Sequence, residues 1–306
     1  MQVLKFIDLF AGIGGMRLAF ERQGMSCVFS SEWDQFSQRT YAANFGISPH
    51  GDITKIEAAD VPAFDVLLAG FPCQPFSSIG KRQGFDHPTQ GTLFYDVVRF
   101  IRHHQPAAFL LENVKGLVNH DSGRTWQVIT ETLDELGYEI NAEILDAANY
   151  GVPQHRERIY IVGFRRDLGV ASKFDFPQKE SKKVDIGDYV ETGIDDRSVS
   201  KSLQQKYLFK LQDGRPEIIT PATKGTVKTL VASYHKIQRL TGTFVADGPT
   251  GVRLLSENEC KAIMGFPEDF KVPVSRTQMY RQFGNSVAVP VVEKIAENIS
   301  KALVGN

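Results

Sequence analysis

Short apolar runs alternate with amphipathic stretches between residue 1 and about residue 165 of the chain. The apolar runs are typical of buried β-strands, and the amphipathic stretches repeat at the spacing of helices. This alternation favours an α/β fold, with a mostly parallel sheet covered by helices on both faces. The runs predict six strands, at residues 3–8, 26–31, 64–69, 107–112, 139–145 and 158–164.

Helices are predicted where apolar side chains recur every three or four residues, at 94–101, 126–136 and 291–299. Local signals mark the ends of these helices: Thr92 as a candidate N-cap, Gly137 as a stop, and Pro290 at a first helical position. Ser256 and Glu259 have the spacing of a capping box, which predicts another helix start.

The pattern changes after about residue 178, where the alternation weakens and turn dipeptides multiply. Between Arg197 and Arg239 there are nine Lys or Arg residues and two acids, a local net charge of +7. This asymmetry predicts a second domain with a polyanionic partner, although a solvated lysine-rich surface is the simpler alternative. We therefore expect one domain over 1–178 and 265–306, and a smaller one with a hinge over 179–264.

The composition is that of an ordinary globular protein, with 42% apolar and 23% charged residues in a chain of 306. The formal net charge of −1 argues against a globally basic protein but allows a local basic face. Three widely spaced cysteines suggest neither a disulfide framework nor a metal site. The first predicted strand begins at once and no apolar stretch is long enough to span a membrane, so we expect a cytosolic protein.

A candidate cofactor pocket is predicted at three strand ends. The first is a glycine-rich turn that opens a helix and includes Phe10, Ala11, Gly12 and Gly14. The second strand ends in Glu32 and Trp33, an acid suited to ribose hydroxyls beside a flat face for a purine. Asp52 and Ile53 follow the next short run, and the acid could accept from an adenine amino group. The glycine spacing differs from that of dinucleotide enzymes, and the set predicts an adenosine site without a phosphate tail, which S-adenosylmethionine fits.

A reactive thiol is predicted at Cys73, which stands between Pro72 and Pro75, just past an apolar strand. The carboxyl ends of such strands are where α/β enzymes place reacting groups. Glu112 ends the next buried run, so an acid and a nucleophile are predicted to share one cleft. A lone cysteine is more often a small buried apolar residue, which is what we expect of Cys27 and Cys260.

These segments together resemble the carbon-5 cytosine DNA methyltransferase family, in the order in which that family carries its motifs. The matching stretches are 8–15, 32–33, 51–53, 70–77, 91–94, 112–114, 151–158, 264–267 and 282–287. The interval from about 180 to 250 lacks a firm pattern, and in this family that interval is the variable target-recognition region. The resemblance implies a Rossmann-like catalytic domain, S-adenosylmethionine as cofactor, and no metal.

The resemblance also implies roles for individual residues. Cys73 is the expected nucleophile and Glu112 the proton donor, with Arg158 on the cytosine carbonyl and with Arg156 and Gln154 buttressing them. It adds to the cofactor site Pro72, Leu93, Asn285, Ser286 and Val287. The predicted DNA contacts are Ser77, Lys81 and Arg82 in a candidate lid, and Lys224, Lys228, Lys236 and Arg239 in the second domain.

Three functional readings follow. The first is a DNA cytosine methyltransferase that flips its target base out of duplex DNA, acting as a monomer, beside a restriction endonuclease or alone. The second is the same chemistry on tRNA. The third is a nucleic-acid-binding regulator without activity, against which the intact Cys73, Glu112 and Arg158 argue. An NAD-dependent oxidoreductase is disfavoured by the glycine spacing.

Overall fold

The computed structural model describes residues 3–72, 93–180 and 183–305. Each of the six predicted strands is present, with ends within two residues of the prediction, in a sheet of order β2-β1-β3-β4-β6-β5. The strands are β1 (Lys5–Leu9), β2 (Ser26–Ser31), β3 (Val66–Gly70), β4 (Ala108–Val114), β5 (Tyr138–Asp146) and β6 (Glu157–Arg165). Strands β2, β1, β3 and β4 pair in parallel, while β6 runs antiparallel to both β4 and β5. The mostly parallel α/β fold is thereby confirmed.

The three helices predicted from apolar spacing are present. The helices of the structure are α1 (Gly15–Arg22), α2 (Gln35–Phe45), α3 (Leu93–His104), α4 (Arg124–Glu135), α5 (Lys201–Leu203), α6 (Glu257–Met264), α7 (Arg276–Asn285) and α8 (Val289–Val304), and α3 and α8 extend beyond the predicted ranges. Ser256 and Glu259 form the predicted capping box at the start of α6, and Pro290 lies in the first turn of α8. The candidate N-cap Thr92 lies outside the described residues.

The sheet separates two apolar cores because successive side chains of a strand point to opposite faces. On β3, Val66 and Leu68 join the core beneath α1 and α8, whereas Leu67 and Ala69 join the core beneath α3 and α4. Arg22 of α1 donates to Glu293 of α8 at 3.0 Å. The last helix therefore packs against α1 over one face of the large sheet.

Before α6 begins at Glu257, the segment from 183 to 264 has little regular structure: a short helical stretch at 201–208, the parallel pair β7 (Glu217–Ile219) and β8 (Thr243–Val245), and short turns. Much of its order comes from buried polar groups. The fully buried Arg253 donates to both oxygens of Glu259 at 2.8 Å and to Asp247 at 2.9 Å. The apolar side chains of the segment from 183 to 264 belong to the same core as those of α8, so the segment is packed on the large sheet.

Among the residues that the structure describes, no helix has the length and apolar character required to cross a membrane. Within the same residues there is no group of three or more His, Cys, Asp or Glu side chains suited to holding a metal ion.

Candidate functional site

A cleft of about 380 Å³ opens at the carboxyl edge of the sheet. Its walls are the ends of the parallel strands β1 to β4, together with the C-terminal half of α7 and residues 286–287 that follow it. Ligands of α/β proteins bind at this edge, since all parallel strands end there and the loops beyond them are free to carry side chains. The volume is within the range of small-molecule sites.

Glu32 organises one end of the cleft. Its carboxylate accepts hydrogen bonds from the backbone N–H of Gly12 and of Asp34, both at 2.8 Å. It therefore joins the loop after β1 to the loop after β2. Burial raises the pKa of Glu32, while these amides oppose the rise. A carboxylate has about four acceptor positions, so lone pairs remain for the hydroxyls of a ligand.

Next to Glu32, the indole of Trp33 is 72% exposed at the wall of the cleft. A large aromatic face left open beside an acid is suited to stacking on a planar ring. The structure also brings most other predicted cofactor residues to this cleft: Phe10, Ala11, Gly12, Pro72, Leu93, Asn285, Ser286 and Val287.

Three predicted cofactor residues lie outside the lining of the cleft. Gly14 has φ +87° and is the N-cap of α1, and a Cβ there would lie 2.2 Å from the Phe45 ring. Asp52 accepts from the Thr54 amide at 3.0 Å and caps a short turn, and Ile53 is buried in the core. Each of these three residues has a structural role in the fold, and its contact with a cofactor stays a prediction.

Glu112 and Arg158 form an ion pair at the other end of the cleft. Arg158 Nε lies 3.1 Å from Glu112 Oε1, with the two side chains 16% and 12% exposed. Burial raises the pKa of Glu112 above its usual value, against the opposing charges of Arg158 and Arg156. A carboxyl group that holds its proton more tightly than a surface acid is suited to general acid chemistry.

Arg156 and Gln154 tie this end of the cleft to two other parts of the chain. Arg156 donates to the carbonyls of Leu230 at 3.1 Å, Gly284 at 3.0 Å and Ser286 at 2.5 Å. Burial, followed by repulsion from Arg158, lowers the pKa of Arg156 to about 10.

The fully buried Gln154 accepts from the Leu230 amide at 2.7 Å and donates to the Ile263 carbonyl at 2.8 Å. At Gly284 the backbone approaches so closely that a Cβ would lie 2.2 Å from the Ala232 nitrogen. The contacts of Arg156 and Gln154 fit the supporting role that the resemblance implies.

Cys73 lies outside the described residues, as do Ser77, Lys81 and Arg82. The two residues before it are described: Phe71 is buried, and both Phe71 and Pro72 line the cleft. Gly70 at the end of β3 is paired in register with Glu112 of β4. The strand that leads to Cys73 therefore ends beside the acid.

The family model of C-5 cytosine-specific DNA methylases matches residues 4–301. The chain belongs to this family. Its relatives include the Type II methyltransferase M.MspI of Moraxella sp, 59% identical over 98% of this chain and 71% of that protein. M.HpaII of Haemophilus parainfluenzae is 45% identical over 97% of this chain and 89% of that protein, and M.HhaI of Haemophilus parahaemolyticus 41% over 98% and 95%.

Solved structures share the fold of this cytosine methylase. The Dnmt2 methyltransferase of S. pombe superposes with a TM-score of 0.77 at 22% identity, covering 98% of this chain and 99% of that one. The Entamoeba histolytica methyltransferase EhMeth gives 0.76 at 19% identity, covering 99% of each chain. Both support a Rossmann-like methyltransferase fold.

The four DNA contacts that the sequence predicted in the second region of the methylase have different surroundings. Lys236 is exposed, and Lys224 is paired with Asp185 at 3.0 Å on the surface. Lys228 Nζ donates to the Leu240 carbonyl at 3.3 Å. Arg239 is a correction: it is 4% exposed, and its guanidinium is bonded to Asp213 and to the Leu208 carbonyl. It supports the fold and is not available to a phosphate.

The methylase cleft also contains side chains to which sequence reasoning gave no role. Asp8 lines it at the end of β1, and burial raises the pKa of Asp8 to about 8. Asn113 follows Glu112 on β4, and Arg281 lies on α7 just before Gln282. Asp8 and Asn113 stand inside matched motifs, which was a usable signal. For Arg281 the only signal was its position next to a motif.

Proposed function

We propose that the chain transfers a methyl group from S-adenosylmethionine to carbon 5 of a flipped-out cytosine in duplex DNA, through a transient bond between Cys73 and carbon 6. The observation that carries this proposal is the Glu112–Arg158 pair at 3.1 Å, in the cleft where Pro72, the residue before Cys73, also lies. Family membership supports the same reaction.

The residues of the cleft fit an adenosine-type cofactor. Glu32 is held by two backbone amides with lone pairs to spare, and the exposed Trp33 offers a stacking face beside it. Glu32 would accept from the ribose hydroxyls and Trp33 would pack on the adenine. S-adenosylmethionine, when bound, supplies an electrophilic methyl group on a sulfonium.

The chemistry requires activation of the ring, because carbon 5 of cytosine is a poor nucleophile. Addition of the Cys73 thiolate to carbon 6 forms a sulfur–carbon bond and moves the electron pair of the double bond toward carbon 5. Glu112 donates its proton to ring nitrogen 3, which keeps the adduct neutral.

Once carbon 5 is methylated, its proton passes to solvent and the sulfur–carbon bond breaks. Glu112 then recovers the proton from nitrogen 3. Arg158 would hold the cytosine carbonyl while its Nε keeps the Glu112 carboxyl oriented, as the observed ion pair allows.

A base inside a duplex cannot reach this cleft, so the target must leave the stack. We assign the reading of DNA to a domain over 179–264, with catalysis in 1–178 and 265–306. Phosphate contacts are proposed for Ser77, Lys81, Arg82, Lys224, Lys228 and Lys236. The relatives named Type II methyltransferases support a modification enzyme with a cognate endonuclease. We further propose a monomer in the bacterial cytosol or nucleoid.

A duplex with 5-fluorocytosine at the target tests the proposal, since fluorine cannot leave as a proton does and the adduct accumulates. The wild-type protein should form a complex with this DNA that survives denaturing electrophoresis. Cys73→Ala should form none, and its methyl transfer should fall by about 10⁴-fold or more, while S-adenosylmethionine still binds.

Cys27→Ala is the matched control, because burial raises the pKa of the Cys27 thiol to about 12 and keeps it unreactive. This variant should form the adduct normally. An adduct in Cys73→Ala, or none in the wild type, would contradict the mechanism. Methyl incorporation into tRNA but not into duplex DNA would show that the substrate of the same reaction is tRNA.

A further inference from the structure

The side chain of Asn113 bridges the ends of two neighbouring strands. It is 2% exposed, and its Nδ2 donates to the Phe71 carbonyl at 2.9 Å. Its Oδ1 accepts from the Val114 amide at 2.8 Å. Both ends of the carboxamide are therefore occupied, and their roles are opposite: one donates and the other accepts.

This bridge lies just beyond the last regular pairing of β3 with β4. Gly70 and Glu112 are the final residues in register, and β3 ends at Gly70. Pro72 has no N–H and cannot continue a ladder. The Asn113 side chain supplies the donor for the Phe71 carbonyl at the point where the two strands separate.

The position of this bond matters because it fixes two parts of the active site relative to each other. Phe71 is two residues before Cys73, and Asn113 is the residue next to Glu112. A side chain that holds the Phe71 carbonyl therefore sets where the chain leaves the sheet toward Cys73, measured from the acid. Reacting groups displaced by about 1 Å can cost about 10²-fold in rate.

We propose that Asn113 is a positioning residue for methyl transfer, which holds the end of β3 in register with Glu112 through the Phe71 carbonyl. The inference rests on the proposed function, since it assumes that Cys73 and Glu112 act on one base. It needs a donor at Nδ2, so the isosteric Asn113→Asp removes the essential part of the interaction. A carboxylate at this position would face the Phe71 carbonyl with two acceptors.

Asn44→Asp is a matched control on α2. The Asn44 carboxamide also bridges two segments, donating to the carbonyls of Thr40 at 2.7 Å and Lys271 at 2.8 Å and accepting from the Lys271 amide. It lies outside the residues that line the cleft. Changing the Asn44 amide to an acid removes the donor of a comparable bridge and leaves the contacts of Phe71 and Glu112 unchanged.

The test compares single-turnover adduct formation on 5-fluorocytosine DNA in the wild type and both variants, with thermal unfolding and DNA affinity measured alongside. We expect Asn113→Asp to form the adduct about 10²-fold more slowly, at saturating DNA and with DNA affinity changed by less than about threefold. Asn44→Asp should keep the wild-type rate, even where its unfolding temperature falls as much as that of Asn113→Asp.

The outcomes distinguish the positioning role of Asn113 from the proposed methyl transfer itself. If wild-type protein forms the adduct and folded Asn113→Asp forms it equally fast, the positioning role is overturned and the proposed function stands. If Asn113→Asp and Asn44→Asp slow in proportion to their loss of stability, Asn113 has a structural role alone and the inference is again overturned. If the wild type itself forms no adduct, the proposed function fails first.

Discussion

The cleft edge of the sheet and the segment from 183 to 264 use their arginines in different ways. At the cleft, Arg158 keeps 16% of its side chain exposed and contacts the acid with Nε, so part of the guanidinium faces the space where a substrate would lie. In the second region Arg239 and Arg253 are buried and bonded to Asp213, Asp247 and Glu259.

The difference shows why local charge overstates a binding surface. The segment from Arg197 to Arg239 has a net charge of +7, yet Arg239 and Lys224 are paired with acids. A region with little regular structure needs such internal bonds to order its backbone, since few strand or helix ladders do that for it. At the carboxyl edge of the sheet the strand ladders already order the strands, and Arg158 and Trp33 keep part of their side chains open toward the cleft.

The largest effect should come from the cleft side of this comparison, at Glu112→Gln. Glutamine can donate a hydrogen bond to ring nitrogen 3 but cannot give up a proton, so methyl transfer should fall by about 10²- to 10⁴-fold. The wild-type rate should also decline as pH rises through the raised pKa of Glu112, because only the protonated acid donates.

This descending limb should be missing in Glu112→Gln, as measured by single-turnover methylation across pH. Glu131→Gln, an exposed acid on α4, is the control and should keep both the rate and the pH profile. An active Glu112→Gln enzyme with the wild-type pH profile would remove Glu112 from the chemistry.

A smaller effect should separate the two kinds of cation within the second region. Arg239→Met should lower the free energy of unfolding by about 2 kcal/mol, because it leaves Asp213 and the Leu208 carbonyl without their buried partner. The salt dependence of DNA binding should stay unchanged in this variant.

Lys236→Gln should behave in the opposite way. Its stability should change by less than about 0.5 kcal/mol, while the slope of log affinity against log salt should lose about 0.9. Urea unfolding and DNA titrations at several salt concentrations measure both quantities. An unchanged salt slope in Lys236→Gln would contradict a phosphate contact of Lys236. A smaller salt slope in folded Arg239→Met would contradict a purely structural role of Arg239.

The smallest effect should come from Trp33→Ala. Loss of the stacking face should weaken S-adenosylmethionine binding by about tenfold, as measured by calorimetry. Because the indole is 72% exposed, the stability should change by less than about 0.5 kcal/mol. Trp33→Phe should recover most of the affinity, and equal affinities in all three proteins would exclude stacking at this position.

Individual residues show how much of the candidate site could be predicted from the sequence. Glu32 and Glu112 were predicted because each lies at or next to a strand end, and strand ends follow from the period of the apolar pattern. Arg158 was predicted from the family resemblance. Asn113 was passed over although it stands beside Glu112, since its role depends on a carbonyl 42 residues away in the chain. Arg239 was assigned to DNA because a sequence records charge and not burial.

The sequence alone determined which strands form, which edge of the sheet carries polar residues, and which family the chain resembles, because these depend on local periodicity and on the order of motifs. The tertiary structure decided which basic side chains are exposed, such as Lys236, and which are buried in internal ion pairs, such as Arg239. It also decided that Arg156 reaches Leu230 and Ser286, and that Asn113 reaches Phe71. Such bonds join segments distant in the chain, and only packing brings their donors and acceptors together.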